Sequence, residues 1–122
     1  MMSVFSQIPN KEYLFAGEHF FAIYDRYPVS PGHLLIISKN DKQDFFSLDK
    51  TERIELNELI IEAKNLIQLK FSPDGYNIGM NCGAVAGQTI FHFHCHVIPR
   101  YKGDMENPRG GVRHCVAGKG NY

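Results

Sequence analysis

Residues 92–100 read HFHCHVIPR, so three of the six histidines of this 122-residue chain stand at alternate positions. A β-strand repeats every two residues, which puts His92, His94 and His96 on one face, roughly 6–7 Å apart at a rise of ~3.3 Å per residue. Phe91, Phe93, Cys95 and Val97 then take the other face. Imidazole serves as nucleophile, general acid, general base or metal ligand near neutral pH. Three of them side by side are costly to bury unless they react or hold a ligand. Two chemistries fit: covalent attack on phosphorus, and metal ligation by an alternating His-x-His strand.

The surroundings add to the cluster. His33 follows a Pro-Gly turn and opens an apolar run, so it is expected at the rim of a pocket. The loop at 81–89, NCGAVAGQT, offers glycines that let backbone N–H groups approach an anion, with Gln88 and Thr89 as side-chain donors. It lacks the Lys-Ser/Thr ending of a P-loop. A metal site on histidines often has a carboxylate orienting a ligand. No Asp or Glu occupies an evident strand-end position between His33 and the triad, and Asp74 reads as a solvent-facing turn residue. His19 is expected on the surface of a hairpin, and His114 near phosphate or solvent.

The elements that position these residues read as strands, one long helix, then strands. Residues 13–17 and 19–26 suggest a hairpin turning at Gly17-Glu18, and HLLIISK (33–39) a central strand covered on both faces. QDFFSL suggests a short helical turn. Asp49 with Glu52 three residues on forms a capping box. Leu56, Leu59, Ile60, Ala63, Leu66 and Ile67 follow as one apolar stripe, which Pro73 and Gly75 end. Residues 76–82 form the next strand. This is an α+β pattern: an antiparallel sheet of about five strands, with the helix on one face and the histidines on the other. Residues 1–122 read as one domain, with 101–122 as a C-terminal tail of loops or short edge structure.

Hydrophobic residues make up 43% of the chain and charged ones 21%, which fits a soluble protein. Zero formal net charge gives no global reason to expect nucleic acid or an anionic membrane as partner. From Arg100 onward, however, there is a surplus of three positive charges, which suits an anionic ligand and hints at a long polyphosphate. The odd number of cysteines, Cys82, Cys95 and Cys115, without Cys-x-x-Cys spacing, fits a reducing cytoplasm better than a disulfide framework. No run approaches the ~20 apolar residues of a membrane span, and the first residues lack a signal-peptide pattern.

HFHCHVIPR resembles the signature of the histidine triad (HIT) family. The likeness extends over IYDRYPVSPGHLLIISK (23–39), over residues 77–100, and over PRGGVRH (108–114) with GKGNY at the end. It implies a homodimer of α+β protomers binding a purine nucleotide, and hydrolysis or transfer at the α-phosphate of a nucleoside phosphoramidate or a dinucleoside polyphosphate through a nucleotidyl-histidine. By the resemblance His94 is the nucleophile, His92 and His96 are its phosphate-binding and proton-handling neighbours, and His33 is a supporting fourth histidine. Asn81, Gln88 and Thr89 match phosphate-contacting or site-orienting positions, and Asp25 a ribose-binding one. Phe5 and Ile23 are candidates for the base pocket. Many bacterial members begin with a Cys-x-x-Cys pair that holds structural zinc. Here Ser3-Val4-Phe5-Ser6 stands in that place, and hydroxyls are poor zinc ligands, so neither a metal nor a cofactor is expected. Two alternatives stand beside this reading: a non-catalytic nucleotide sensor or adaptor, and a metal-dependent hydrolase using His92, His94 and His96 as ligands.

Overall fold

In the computed structural model, which describes residues 3–122, five antiparallel strands form one sheet in the order β1-β2-β3-β5-β4. The strands are β1 (Phe15–Ala16), β2 (Phe20–Tyr24), β3 (Leu34–Ser38), β4 (Gly75–Gly79) and β5 (His94–Arg100), and the helix α1 is Lys50–Phe71. The α+β pattern and the hairpin follow the sequence expectation. The first three strands are shorter than expected, because the flanking residues are taken into turns; β4 starts one residue early and stops at Gly79, and β5 starts late, at His94, and runs on to Arg100.

The long helix starts where its cap is written. Asp49 accepts from the Glu52 N–H and Glu52 accepts from the Asp49 N–H, both at 2.8 Å. Together these satisfy two of the N–H groups a helix start leaves without partners. The end lies one residue ahead of Pro73, at Ser72, which takes the left-handed conformation (φ 51°) and donates its N–H to Gln68 C=O. Leu56, Leu59, Ala63 and Ile67 are buried against Phe20, Ala22, Leu34, Ile36, Phe93, Cys95 and Val97. Ile60 and Leu66 pack at the border of that layer. Period-3.6 and period-2 patterns thus close on one another.

The second face of the sheet is covered in part. Phe5 and Ile8, on and beside the single turn Val4–Gln7, lie over Phe21, Ile23, Leu35 and Ile37. The central strand β3 is therefore covered on both sides, as its unbroken apolar run requires. Beyond this patch the same face carries His94, His96, Ile98 and Arg100 of β5. Residues after β5 fold back as the turn Gly111–Cys115, which touches β4. In this tail Arg109 and Arg113 lie against the Tyr122 ring, 4.6 and 4.9 Å from its centroid.

Candidate active site

Four imidazoles converge at the junction of β3 and β5, and backbone groups fix their tautomers, directly for three of them and through His33 for His96. His33 Nδ1 accepts from the Val29 N–H at 3.1 Å, so its hydrogen sits on Nε2. That Nε2–H donates to His96 Nδ1 at 2.9 Å, which leaves the His96 hydrogen on Nε2. His94 Nδ1–H donates to the His92 carbonyl at 2.8 Å, which leaves His94 Nε2 with a free lone pair. His92 Nε2–H donates to the Ser38 carbonyl at 2.7 Å, and its Nδ1 accepts from the Ser3 hydroxyl at 2.6 Å.

The turn before β3 makes the first of these bonds possible. Gly32 has φ +90°, a conformation that L side chains rarely adopt, and a Cβ there would lie 2.8 Å from the Phe71 ring. The turn thus brings the Val29 N–H back to His33 Nδ1.

His92 departs from the sequence expectation. The strand begins at His94, so His92 lies outside the alternation, and it is only 1% exposed with both ring nitrogens bonded. It cannot meet phosphate or protonate a leaving group from there. Its contribution is the carbonyl that orients His94. Phe91, also ahead of the strand, is half exposed rather than packed on the helix side.

Asp25 supplies the carboxylate that the sequence did not place. It follows the last residue of β2. Its Oδ1 accepts from the Tyr27 N–H at 2.8 Å, and its Oδ2 lies 3.4 Å from His33 Nε2. Burial nevertheless outweighs this attraction and lowers the His33 pKa. His96 is lowered further, to about 4, by burial first and then by His33 and His94. Both rings are neutral at pH 7, as the hydrogen bonds require.

Gln88 is another departure. It is 3% exposed; its Oε1 accepts from the Gly83 N–H, and its Nε2 donates to the carbonyls of Gln43 and Ile90. The amide clamps the loop and has no donor left for a ligand. The N–H groups of Gly83, Ala86, Gly87 and Gln88 are also spent inside this loop, so they do not form the expected anion cradle. Asn81 and Thr89 are exposed, and among the described residues their side chains make no hydrogen bond. Asn81 lies just past β4, whose last paired residue, Gly79, faces His96.

His94 and His96 border a cavity of about 390 Å³ that Phe5, Ile8, Ile23 and Leu35 line on its apolar side and Asp25 on its polar side. The Phe5 ring meets His94 edge-on, with centroids 5.0 Å apart. Sequence reading found Phe5 and Ile23; it missed Leu35, which lies on the same face of the sheet in β3, and Ile8, which packs over that face beside Phe5. Cys95 faces the helix, where burial pushes its thiol up to about 12 and leaves it inert. His19 Nδ1–H donates to Glu55 Oε1 of the helix at 3.0 Å, and His114 lies in the tail turn, so neither reaches this cavity.

Residues 7–103 match the HIT domain. The chain belongs to the HIT family. A HIT-like protein of Mycoplasma genitalium is 39% identical over 86 residues, which are 70% of this chain and 61% of that protein. The bis(5'-adenosyl)-triphosphatase of Dictyostelium discoideum is 35% identical over 100 residues, 82% of this chain and 67% of that protein. A HIT family protein from Bacillus anthracis has the same fold, with a TM-score of 0.77 and 36% identity over 84% of this chain and 75% of that one. The chain thus spans about three fifths of the Mycoplasma relative's length.

The zinc site of some HIT proteins does not fit here. Ser3 spends its hydroxyl on His92, Ser6 is exposed, and neither offers a thiolate. A three-histidine ion is equally ill-suited, since both nitrogens of His92 are engaged. Asp25, His33 and His96 do come together, their ligand atoms all within 4.8 Å of one another. To bind a cation, however, His33 would need its lone pair on Nε2. That puts a hydrogen on Nδ1, against the Val29 N–H. Among the described residues no helix is long and apolar enough to cross a membrane.

Proposed function

We propose that this HIT protein hydrolyses a purine nucleotide at its α-phosphate through a nucleotidyl-His94 intermediate. The observation that carries this is the free Nε2 lone pair of His94, held by the His92 carbonyl at the mouth of an apolar cavity. The base would lie among Phe5, Ile8, Ile23 and Leu35, with the ribose at Asp25. His94 Nε2 attacks phosphorus as the P–O bond to the leaving group breaks, and the electron pair departs on that oxygen. Water then attacks phosphorus, the P–N bond breaks, its electron pair returns to Nε2, and the water proton passes to solvent. His96 Nε2–H donates to an equatorial oxygen, where the transition state gathers charge. His33 holds His96 in that tautomer. Asn81 and Thr89 supply further donors at the phosphate, while Gln88 holds the loop that carries them.

The substrate class is supported by the named activity of the Dictyostelium relative. Assembly as a homodimer is supported by β4, which lies at the edge of the sheet with one side unpaired, and by the exposed Ile54 and Ile61 on α1. A cytoplasmic location is supported by the three free cysteines.

Rapid-quench mass spectrometry on a diadenosine polyphosphate tests the reading. An acid-labile adenylyl adduct on His94 is expected. Turnover with no adduct, and full turnover by His94→Gly, would sink the mechanism; tight binding without turnover would leave a sensor.

A further inference from the structure

The hydrogen bond between His33 and His96 has a mirror image. His33 Nε2–H donating to His96 Nδ1 uses the same two atoms as His96 Nδ1–H donating to His33 Nε2, and the 2.9 Å separation suits either. The two arrangements differ at the far end. In the first His96 turns an N–H to the cavity, and in the second a bare lone pair. Two groups choose between them. The Val29 N–H, 3.1 Å from His33 Nδ1, requires a lone pair there. Asp25 Oδ2, 3.4 Å from His33 Nε2, favours a hydrogen on that side.

Of the two, Val29 stands on the less secure ground. Tyr27, Pro28, Val29 and Pro31 are exposed, and their turn precedes the first pair of β3 with β5, Leu34 with Val97. Two side chains tie it down instead. Ser30 Oγ donates to the Pro99 carbonyl, and Tyr101 Oη to the Pro31 carbonyl, both at 2.6 Å. Pro99 lies two residues past Val97, where the pairing with β3 has ended, so the serine hydroxyl takes up a carbonyl that no β3 residue pairs with. Burial, and then Asp74, raise the Tyr101 pKa, which keeps its hydroxyl a donor. Both tethers run to the end of the strand that carries His94 and His96.

We infer that Ser30 and Tyr101 are positioning residues: by pinning the turn at 28–32 to the end of β5 they hold the Val29 N–H on His33, and so keep an N–H of His96, rather than a lone pair, facing the phosphate. The effect at the phosphate rests on the hydrolase reading above, and the placement of the hydrogens does not. Neither residue lines the cavity that His94 and His96 border, so each acts through the turn alone. A lone pair on His96 Nε2 would repel the equatorial charge that an N–H meets.

Two-bond ¹⁵N–¹H spectra tell protonated from bare imidazole nitrogens, and pH 7 keeps both rings neutral. The unaltered protein is expected to carry hydrogen on Nε2 of both His33 and His96. In the double variant Ser30→Ala, Tyr101→Phe, Asp25 alone still favours that placement, so part of the population is expected to reverse. The His96 Nε2 shift then moves toward that of a bare nitrogen. With diadenosine triphosphate as substrate, kcat is expected to fall about tenfold and KM to stay within about twofold, since complete loss of such a donor costs ~10²–10³-fold. Ser30→Thr keeps the hydroxyl and is expected to keep the native pattern. If the double variant fails to fold, Ser30→Ala carries the test with a smaller shift of the same sign. A folded variant with native ring shifts overturns the inference whatever its stability, and so does hydrogen on His96 Nδ1 in the unaltered protein. Reversed rings with kcat unchanged overturn the role at the phosphate. Reversed rings in a protein that turns over no nucleotide, even unaltered, support the tether and overturn the hydrolase reading alone.

Discussion

His33 Nε2 stands 2.9 Å from His96 Nδ1, and the hydrogen between them belongs to His33 because the Val29 N–H already occupies its other nitrogen. One backbone amide thereby sets the proton positions of two rings, and aims the remaining N–H of His96 at the cavity that His94 faces.

That arrangement makes stability depend on acid. The folded pKa of His96, about 4, and that of His33 lie below the unfolded value of 6.5, so between these limits the unfolded chain binds more protons. The stabilisation is complete above pH 6.5 and is lost as pH falls toward about 4. Urea unfolding at pH 7, 5.5 and 4.5 is expected to show this fall, and His96→Asn to flatten it. A variant with an undiminished slope would exclude His96 as the source. His19 works in the opposite sense: Glu55 raises its pKa, so its share is present below 6.5 and lost as pH rises through the folded value.

His94→Asn removes the nitrogen to which we assign the attack and keeps the size of the side chain. Turnover is expected to drop by three orders of magnitude or more, about 4 kcal/mol of barrier, while nucleotide affinity stays within a few-fold. Stopped kinetics and equilibrium titration on the same preparation separate the two.

Ser3 touches no substrate in this reading and acts through His92. Ser3→Ala leaves the buried Nδ1 of His92 without a donor, at a cost of about 1–3 kcal/mol. Part of that is expected in kcat, as a several-fold fall with little change in KM, and Ser3→Thr is expected to restore it. A loss of stability with kcat intact would make the hydroxyl merely structural.

Gln88→Ala withdraws three hydrogen bonds from the loop at once. We expect a destabilisation of about 1–3 kcal/mol, because the Gly83 N–H and two carbonyls lose a partner. Chemical denaturation gives the value. Hydrogen exchange would place the opening at residues 83–90, and unaltered protection there would contradict the clamp.

Much of this was legible in the sequence because local rules and tertiary packing agree. The Asp49–Glu52 cap, the Leu56-to-Ile67 stripe and the apolar run at Leu34–Ile37 each describe their own environment. The histidine alternation was legible as chemistry, but not as geometry. One strand boundary, set by where β3 stops pairing, moved His92 out of the site and left its carbonyl as the useful atom. Asp25 was visible only as part of the family likeness, since its contact with His33 depends on how β2 and β3 align. Gln88 looked like a donor because its bonds to Gln43 and Ile90 are made by the folded loop. The tail's positive charge was real, but Asp104 and Tyr122 absorb most of it.

Phe5 and Ser3 tie a single short turn to the His94 ring and to the residue whose carbonyl aims it. Turns of this length open far more readily than a sheet or a capped helix. If His94 carries the reaction as proposed, catalytic competence is expected to have its own, shallower melting process, nested inside that of the fold. On warming, turnover should vanish while the helical circular-dichroism signal is still intact, and on cooling it should return at once.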